Sequence, residues 1–124
     1  MSKFESNAVT WVELPVADMR RARSFYETLL NAQMQEFPGK EPCFIFPAEP
    51  QGVGGSLIER KGMKPAAEGT MVYLNVDGKL DATLERAKNL GAKLLVPRTA
   101  IPGGFGYFAC LLDSEGNHFG LHSR

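Results

Sequence analysis

Residues 9–16 (VTWVELPV) and 71–76 (MVYLNV) decide the fold of this chain. In the first stretch, aliphatic residues alternate with other types, which is typical of a strand that buries one face. The second stretch has the same strand character, and two of its aliphatic residues lie 60 positions after their counterparts in the first. The sequence therefore predicts two related strands, each at the start of a similar segment.

Both strands are followed by a helical pattern. Apolar residues recur at helical spacing between Asp18 and Asn31. Asp18 is a plausible N-cap, and Asn31 is a residue type suited to end a helix. The second pattern lies between Asp77, a possible cap, and Gly91. We expect each helix to cover the aliphatic face of the strand before it.

The remainder of each half has the composition of strands and turns, so each half is predicted to be a β-α-β-β-β module. Matching residues keep an offset of 60 up to residue 94, and the offset becomes 64 after four extra residues around the glycine-rich loop 101–106. Such self-similarity indicates an internal repeat. The predicted organisation is a single domain (1–124) made of module one (8–60), a linker (61–70) and module two (71–122).

Composition excludes several classes of function. The 124 residues carry 14 Lys and Arg against 14 Asp and Glu, so the basic excess needed to bind phosphates or an anionic membrane is absent. No signal-peptide pattern or span-length apolar run is present, which predicts a cytoplasmic protein. Cys43 and Cys110 lack a CxxC partner and are expected to be reduced thiols inside strands.

Three motifs give the chain a family resemblance: residues 12–18 (VELPVAD) leading into 22–26 (ARSFY), residues 90–97 (LGAKLLVP), and residues 113–121 (DSEGNHFGL). They resemble the vicinal oxygen chelate superfamily, which includes glyoxalase I, extradiol dioxygenases and bleomycin resistance proteins, over residues 9–122. The resemblance implies an α+β fold in which the two modules form a curved mixed-sheet cup with helices on its outer face. It also implies a homodimer, and whether each cup belongs to one chain or to two stays open.

Enzymes of this superfamily hold a divalent metal that acts as a Lewis acid on a substrate with two neighbouring oxygens. The four ligand positions fall here on poor ligands, namely Trp11, Ser56, Met71 and Gly120. We therefore expect no metal cofactor at the usual place. A displaced divalent metal held by Glu13, His118 and His122 is an alternative, because these residue types suit such a cation.

Strand alternation predicts which side chains line the cup, and loop 101–106 adds a phenylalanine that could cover its mouth. The predicted ligand-binding residues are Trp11, Glu13, Tyr73, Phe105, His118 and His122. An aromatic concave wall with a few polar groups favours a metal-free small-molecule-binding protein of the bleomycin-resistance type. One alternative is a lyase, isomerase or dioxygenase-type enzyme on a small oxygenated substrate, using displaced metal ligands or a Glu13/His122 acid–base pair. Another is a protein with a filled cup that works through partners.

Overall fold

The two predicted modules form with the same order of elements in a computed structural model that describes residues 7–124. Residues 1–6, which bear on the expectation of no signal peptide, lie outside the described residues. Module one contains β1 (Trp11–Pro15), α1 (Met19–Leu30), β2 (Gln35–Glu36), β3 (Cys43–Ile45) and β4 (Gly54–Ile58). Module two contains β5 (Tyr73–Asn75), α2 (Leu80–Asn89), β6 (Leu94–Ala100), β7 (Tyr107–Leu112) and β8 (His118–Ser123).

Each module builds one four-stranded mixed sheet. The strand orders are β1-β4-β3-β2 and β5-β8-β7-β6, and in both sheets the first and last strands of the module are parallel. The registers are equivalent, because Glu13 lies opposite Ser56 and Tyr73 lies opposite Gly120. The predicted α+β fold with two β-α-β-β-β modules is confirmed.

The ends of α1 are as predicted, whereas the start of α2 is not. Asp18 caps α1 by accepting from the Arg21 backbone N–H at 3.1 Å, and Asn31 ends the helix in the left-handed region with φ 51°. The predicted cap Asp77 is wrong: the N-cap of α2 is Lys79, which makes no side-chain cap. A turn at Gly78, with φ 75°, delays the helix, and the Asp77 carboxylate accepts from the backbone of Arg124 instead.

One hydrophobic core serves both modules. The helices lie on the predicted side of the sheets, and Tyr26 of α1 contacts both Phe46 of module one and Phe119 of β8. The Tyr26 hydroxyl donates to Asp113 at 2.5 Å, and burial, followed by the Asp113 charge, raises the pKa of this phenol. Each sheet therefore turns one face to the shared core, and we call the opposite one its open face.

The Glu115 carboxylate makes a second contact between the two modules. It accepts from the backbone N–H groups of Ala17 and Asp18, both at 2.9 Å, and from the Arg21 guanidinium at 2.7 Å. Burial alone would raise the pKa of Glu115, but these hydrogen bonds, with one from Ser114, outweigh it and lower the pKa to about 2. The start of α1 is thus held to the turn between β7 and β8 by a charged group.

The segment between the two sheets and the two cysteines complete the description of the chain. Residues 61–70 contain neither helix nor strand, and Cys43 and Cys110 are free thiols in β3 and β7. No helix within residues 7–124 is long and apolar enough to cross a membrane.

Candidate functional site

A cavity of about 500 Å³ lies on the open face of the first sheet. Side chains alternate along its strands, so the residues that miss the core on β1 and β4 come together here. Aromatic and aliphatic groups form most of the wall, and charged groups stand at one side. The lining residues are Trp11, Glu13, Phe37, Gly39, Lys40, Glu41, Cys43, Ile45, Ser56, Ile58 and Arg60.

Trp11 provides the main aromatic surface of this cavity. Its ring lies over Gly54, its register partner on β4, where an added Cβ would stand 3.4 Å from the ring. The side chain remains 46% exposed, so it is not a core filler. A half-exposed indole beside a cavity is suited to stacking on a flat ligand.

Arg60 forms the charged side of the cavity together with two carboxylates. Its terminal nitrogens donate to both Glu13 oxygens at 2.7 and 3.2 Å, and its Nε donates to Glu41 at 3.0 Å. Hydrogen bonds from Arg60 to Glu13, followed by those to Glu41, raise the pKa of the guanidinium, which stays charged. Glu13 is therefore held in a two-point ion pair and is not a free carboxylate.

Ser56 is the buried polar group of the cavity. It lies opposite Glu13 in the parallel β1–β4 register and is 1% exposed. Its Oγ has no hydrogen-bond partner among the described residues. A buried hydroxyl without a partner costs about 1–3 kcal/mol of stability, so Ser56 is an unused hydrogen-bonding group on the cavity wall.

The open face of the second sheet carries a different aromatic arrangement. The Tyr73 ring lies over Gly120, its register partner, and meets Phe108 edge-on at 6.2 Å between ring centroids. A Cβ at position 120 would overlap the Tyr73 ring. A side chain at position 120, where the resemblance places a metal ligand, would therefore require the tyrosine ring to move.

The glycine-rich loop is attached to this second face. His122 contacts the backbone oxygen of Phe105 through Nε2 at 2.8 Å, while the Phe105 side chain is 60% exposed. His118 shares the face of β8 with His122, and its Nε2 is a second buried polar atom without a partner among residues 7–124. The loop is thus tied down at its phenylalanine and presents the ring to solvent.

The six predicted residues fall into two groups within one chain: Trp11 and Glu13 on the first sheet, and the other four on the second or its loop. Sequence reasoning missed Arg60 and Glu41. A signal for Arg60 existed, because Arg60 follows Ser56 and Ile58 of β4 at the same two-residue spacing. The pairing with Glu41 depends on how β3 folds back on β4, which strand patterning does not predict.

The donor groups do not fit the divalent metal that the resemblance implies. At the four expected positions stand an indole, a hydroxyl, a thioether and a glycine, and Glu13 is bound to a guanidinium. Among residues 7–124, no three His, Cys, Asp or Glu side chains are grouped so that they could hold a metal ion. Within one chain, the residues of the displaced site lie on different sheets.

Solved structures share this architecture over nearly their whole length. The fosfomycin resistance protein FosX from Listeria monocytogenes has a TM-score of 0.68 at 18% identity, covering 95% of this chain and 93% of its own. A glyoxylase/bleomycin resistance protein/dioxygenase domain from Frankia sp. EAN1pec has a TM-score of 0.70 at 21% identity, covering 94% and 97%. A glyoxalase/bleomycin resistance protein from Catenulispora acidiphila has a TM-score of 0.66 at 23% identity, covering 92% and 96%. At these identities the likeness shows the fold alone.

Sequence comparison identifies the family to which the chain belongs. No curated protein matches this chain. A family model described as the glyoxalase/bleomycin resistance protein/dioxygenase superfamily, however, matches residues 8–121. That span contains both modules and the linker, so the chain belongs to the glyoxalase/bleomycin resistance protein/dioxygenase superfamily.

Proposed function

We propose that this protein binds a small molecule in the cavity on the open face of the first sheet, without a metal ion. The observation that carries the proposal is the cavity of about 500 Å³ with the half-exposed Trp11 on its wall. Concave, mostly apolar sites with a few fixed polar groups are typical of small-molecule binding. Here Arg60 and its two carboxylates provide the fixed polar groups.

The proposal that no metal ion is bound rests on which side chains stand at the metal-ligand positions. One structure of the FosX relative contains Mn(II) and 1S,2S-dihydroxypropylphosphonic acid. In this chain the corresponding family positions include Trp11 and Gly120, and the nearby Glu13 is neutralised by Arg60. A hard cation would have to compete with a guanidinium for that carboxylate, which disfavours binding.

We propose further that two copies of the chain assemble so that each cavity receives a second wall. Within one chain, the six predicted residues lie on two different sheets, each of which packs one face against the shared core. Tyr73 is 51% exposed, and β1 and β5 each pair on one side only. Exposed aromatic residues beside unpaired strand edges favour association with another sheet. Placing the second sheet of one copy over the first sheet of another would unite all six predicted residues.

The contacts give no support to an acid–base pair of Glu13 and His122 in one chain. Glu13 is engaged by Arg60, and His122 contacts the Phe105 backbone oxygen at 2.8 Å. Since each group has a structural partner and they lie on different sheets, the binding function is the better supported proposal.

The proposal can be tested with N-phenyl-1-naphthylamine, an uncharged fluorescent probe, titrated into the purified protein. We expect saturable binding that Ile45→Lys weakens by about tenfold or more, because it places a charge in the apolar wall. The matched control is Ala82→Lys, which adds the same charge on the exposed side of α2. Thermal melts of both variants check that they fold.

Equal probe affinity in the folded Ile45→Lys and Ala82→Lys proteins would contradict the proposed cavity. Absence of saturable binding to the unmodified protein would contradict small-molecule binding of this type altogether.

A further inference from the structure

The cavity contains a hydrogen-bonding position that the fold itself leaves unused. Ser56 is 1% exposed, it lines the cavity, and its Oγ has no partner among the described residues. By contrast, the buried hydroxyl of Thr83 donates to the Lys79 carbonyl at 2.7 Å. Buried hydroxyls are normally satisfied, and Ser56 departs from that rule at the point where a ligand would sit.

The charges around Ser56 indicate the electrostatic class of the ligand. The lining contains two acidic side chains, Glu13 and Glu41, and two basic ones, Lys40 and Arg60, so its formal charge is balanced. The Arg60 guanidinium is bound from two directions by the carboxylates. An anionic ligand would have to displace a carboxylate from Arg60 or pair with the exposed Lys40, where solvent weakens the attraction, and a cationic ligand would have to displace Arg60 itself. An uncharged ligand disturbs neither.

We propose that the ligand is an uncharged, largely apolar molecule whose single hydroxyl or carbonyl oxygen hydrogen-bonds to Ser56 Oγ. This inference rests on the proposed function and adds its ligand class. A serine hydroxyl both donates and accepts, so it serves either kind of oxygen. Access requires the half-exposed Trp11 side chain beside Ser56 to change rotamer, which is fast for an exposed group.

The test compares three probes with the same two-ring skeleton: naphthalene, 2-naphthol and 2-naphthoate. The affinity of each probe is measured by its displacement of N-phenyl-1-naphthylamine from the protein at neutral pH. We expect 2-naphthol to bind the unmodified protein about tenfold more tightly than naphthalene, since it satisfies the hydroxyl. The anion 2-naphthoate should bind more weakly than 2-naphthol.

Two variants assign the preference to Ser56. In Ser56→Ala the advantage of 2-naphthol over naphthalene should disappear while naphthalene affinity is retained. The matched control is Ile58→Val, which shortens the apolar wall on the same strand and should weaken both probes alike, by about threefold. Ser56→Ala removes a hydroxyl without a partner, so it should fold at least as stably as the unmodified protein.

The outcomes separate this inference from the proposed function. If naphthalene and 2-naphthol bind equally well, or if Ser56→Ala keeps the preference, the role of Ser56 is refuted while the binding cavity stands. If 2-naphthoate binds most tightly, the uncharged class is refuted. If no probe displaces N-phenyl-1-naphthylamine, the cavity assignment itself fails.

Discussion

At the scale of single residues, Tyr73 and Gly120 depend on each other. The tyrosine ring occupies the space that any side chain at position 120 would need. Restoring an acidic metal ligand at position 120 would therefore also require Tyr73 to move. Positions 73 and 120 are therefore coupled through the space that the tyrosine ring fills.

A double-mutant cycle tests this dependence. Gly120→Ala should destabilise the protein by about 1 kcal/mol, because it pushes the Tyr73 ring off Phe108. In a Tyr73→Ala background the same substitution should cost nearly nothing. Gly39→Ala is the control, since an added Cβ there meets no atom within 4 Å. Equal costs of Gly120→Ala in both backgrounds, measured by urea unfolding, would show that the two residues are independent.

Residue-level prediction from sequence succeeded where strand alternation alone determines the outcome. Alternation placed Trp11 and Glu13 on the face opposite the core, and the structure agrees. It did not reveal that Glu13 is bound by Arg60, because that ion pair forms between residues 47 positions apart. Side-chain partners at such separations depend on the final sheet register.

At the scale of elements, local signals predicted α1 well and the start of α2 poorly. Asp18 and Asn31 act within one turn of their own helix, so their roles are readable in sequence. Asp77 failed as a cap because the Gly78 turn comes between it and the helix. The start of α1 is also held to module two through Glu115, which no local pattern signals.

The Glu115 contacts predict an acid-sensitive element. Its pKa of about 2 in the folded protein lies below the unfolded value, so its contribution is present above about pH 5 and is lost as the pH falls toward 2. Because Arg21 is half-exposed and screened, we expect about 2 kcal/mol from this source. Glu115→Gln should be less stable at neutral pH and should lose less stability than the unmodified protein between pH 5 and 2.

Urea unfolding at several pH values checks this expectation. The control for removing a carboxylate is Glu36→Gln, because Glu36 is an exposed residue of β2. If Glu115→Gln and the unmodified protein lose stability in parallel on acidification, the ion-paired carboxylate is not the source of the acid sensitivity.

At the scale of the whole molecule, the repeat predicted the two modules but not how they face each other. The repeated strand patterns specify each sheet, whereas the arrangement of the sheets follows from contacts such as that of Tyr26 with Phe119. These contacts hold both sheets to one core. Within one chain, the six predicted site residues therefore divide between two sheets.

The proposed second copy predicts a measurable mass. Sedimentation equilibrium should give twice the chain mass, and Tyr73→Asp should shift the protein toward monomer, because it places a charge on the open face of the second sheet. Ala82→Asp, on the exposed side of α2, should leave the mass unchanged. A monomer at all concentrations would contradict the two-chain cup.

The most direct test of ligand binding in the cavity uses its tryptophan, which is the only one in the chain. N-phenyl-1-naphthylamine bound beside Trp11 should emit when the indole is excited, and this sensitised emission should saturate with the probe. In Trp11→Phe it should vanish, while directly excited probe still reports binding. Saturable binding without sensitised emission from the unmodified protein would place the ligand elsewhere and contradict the account.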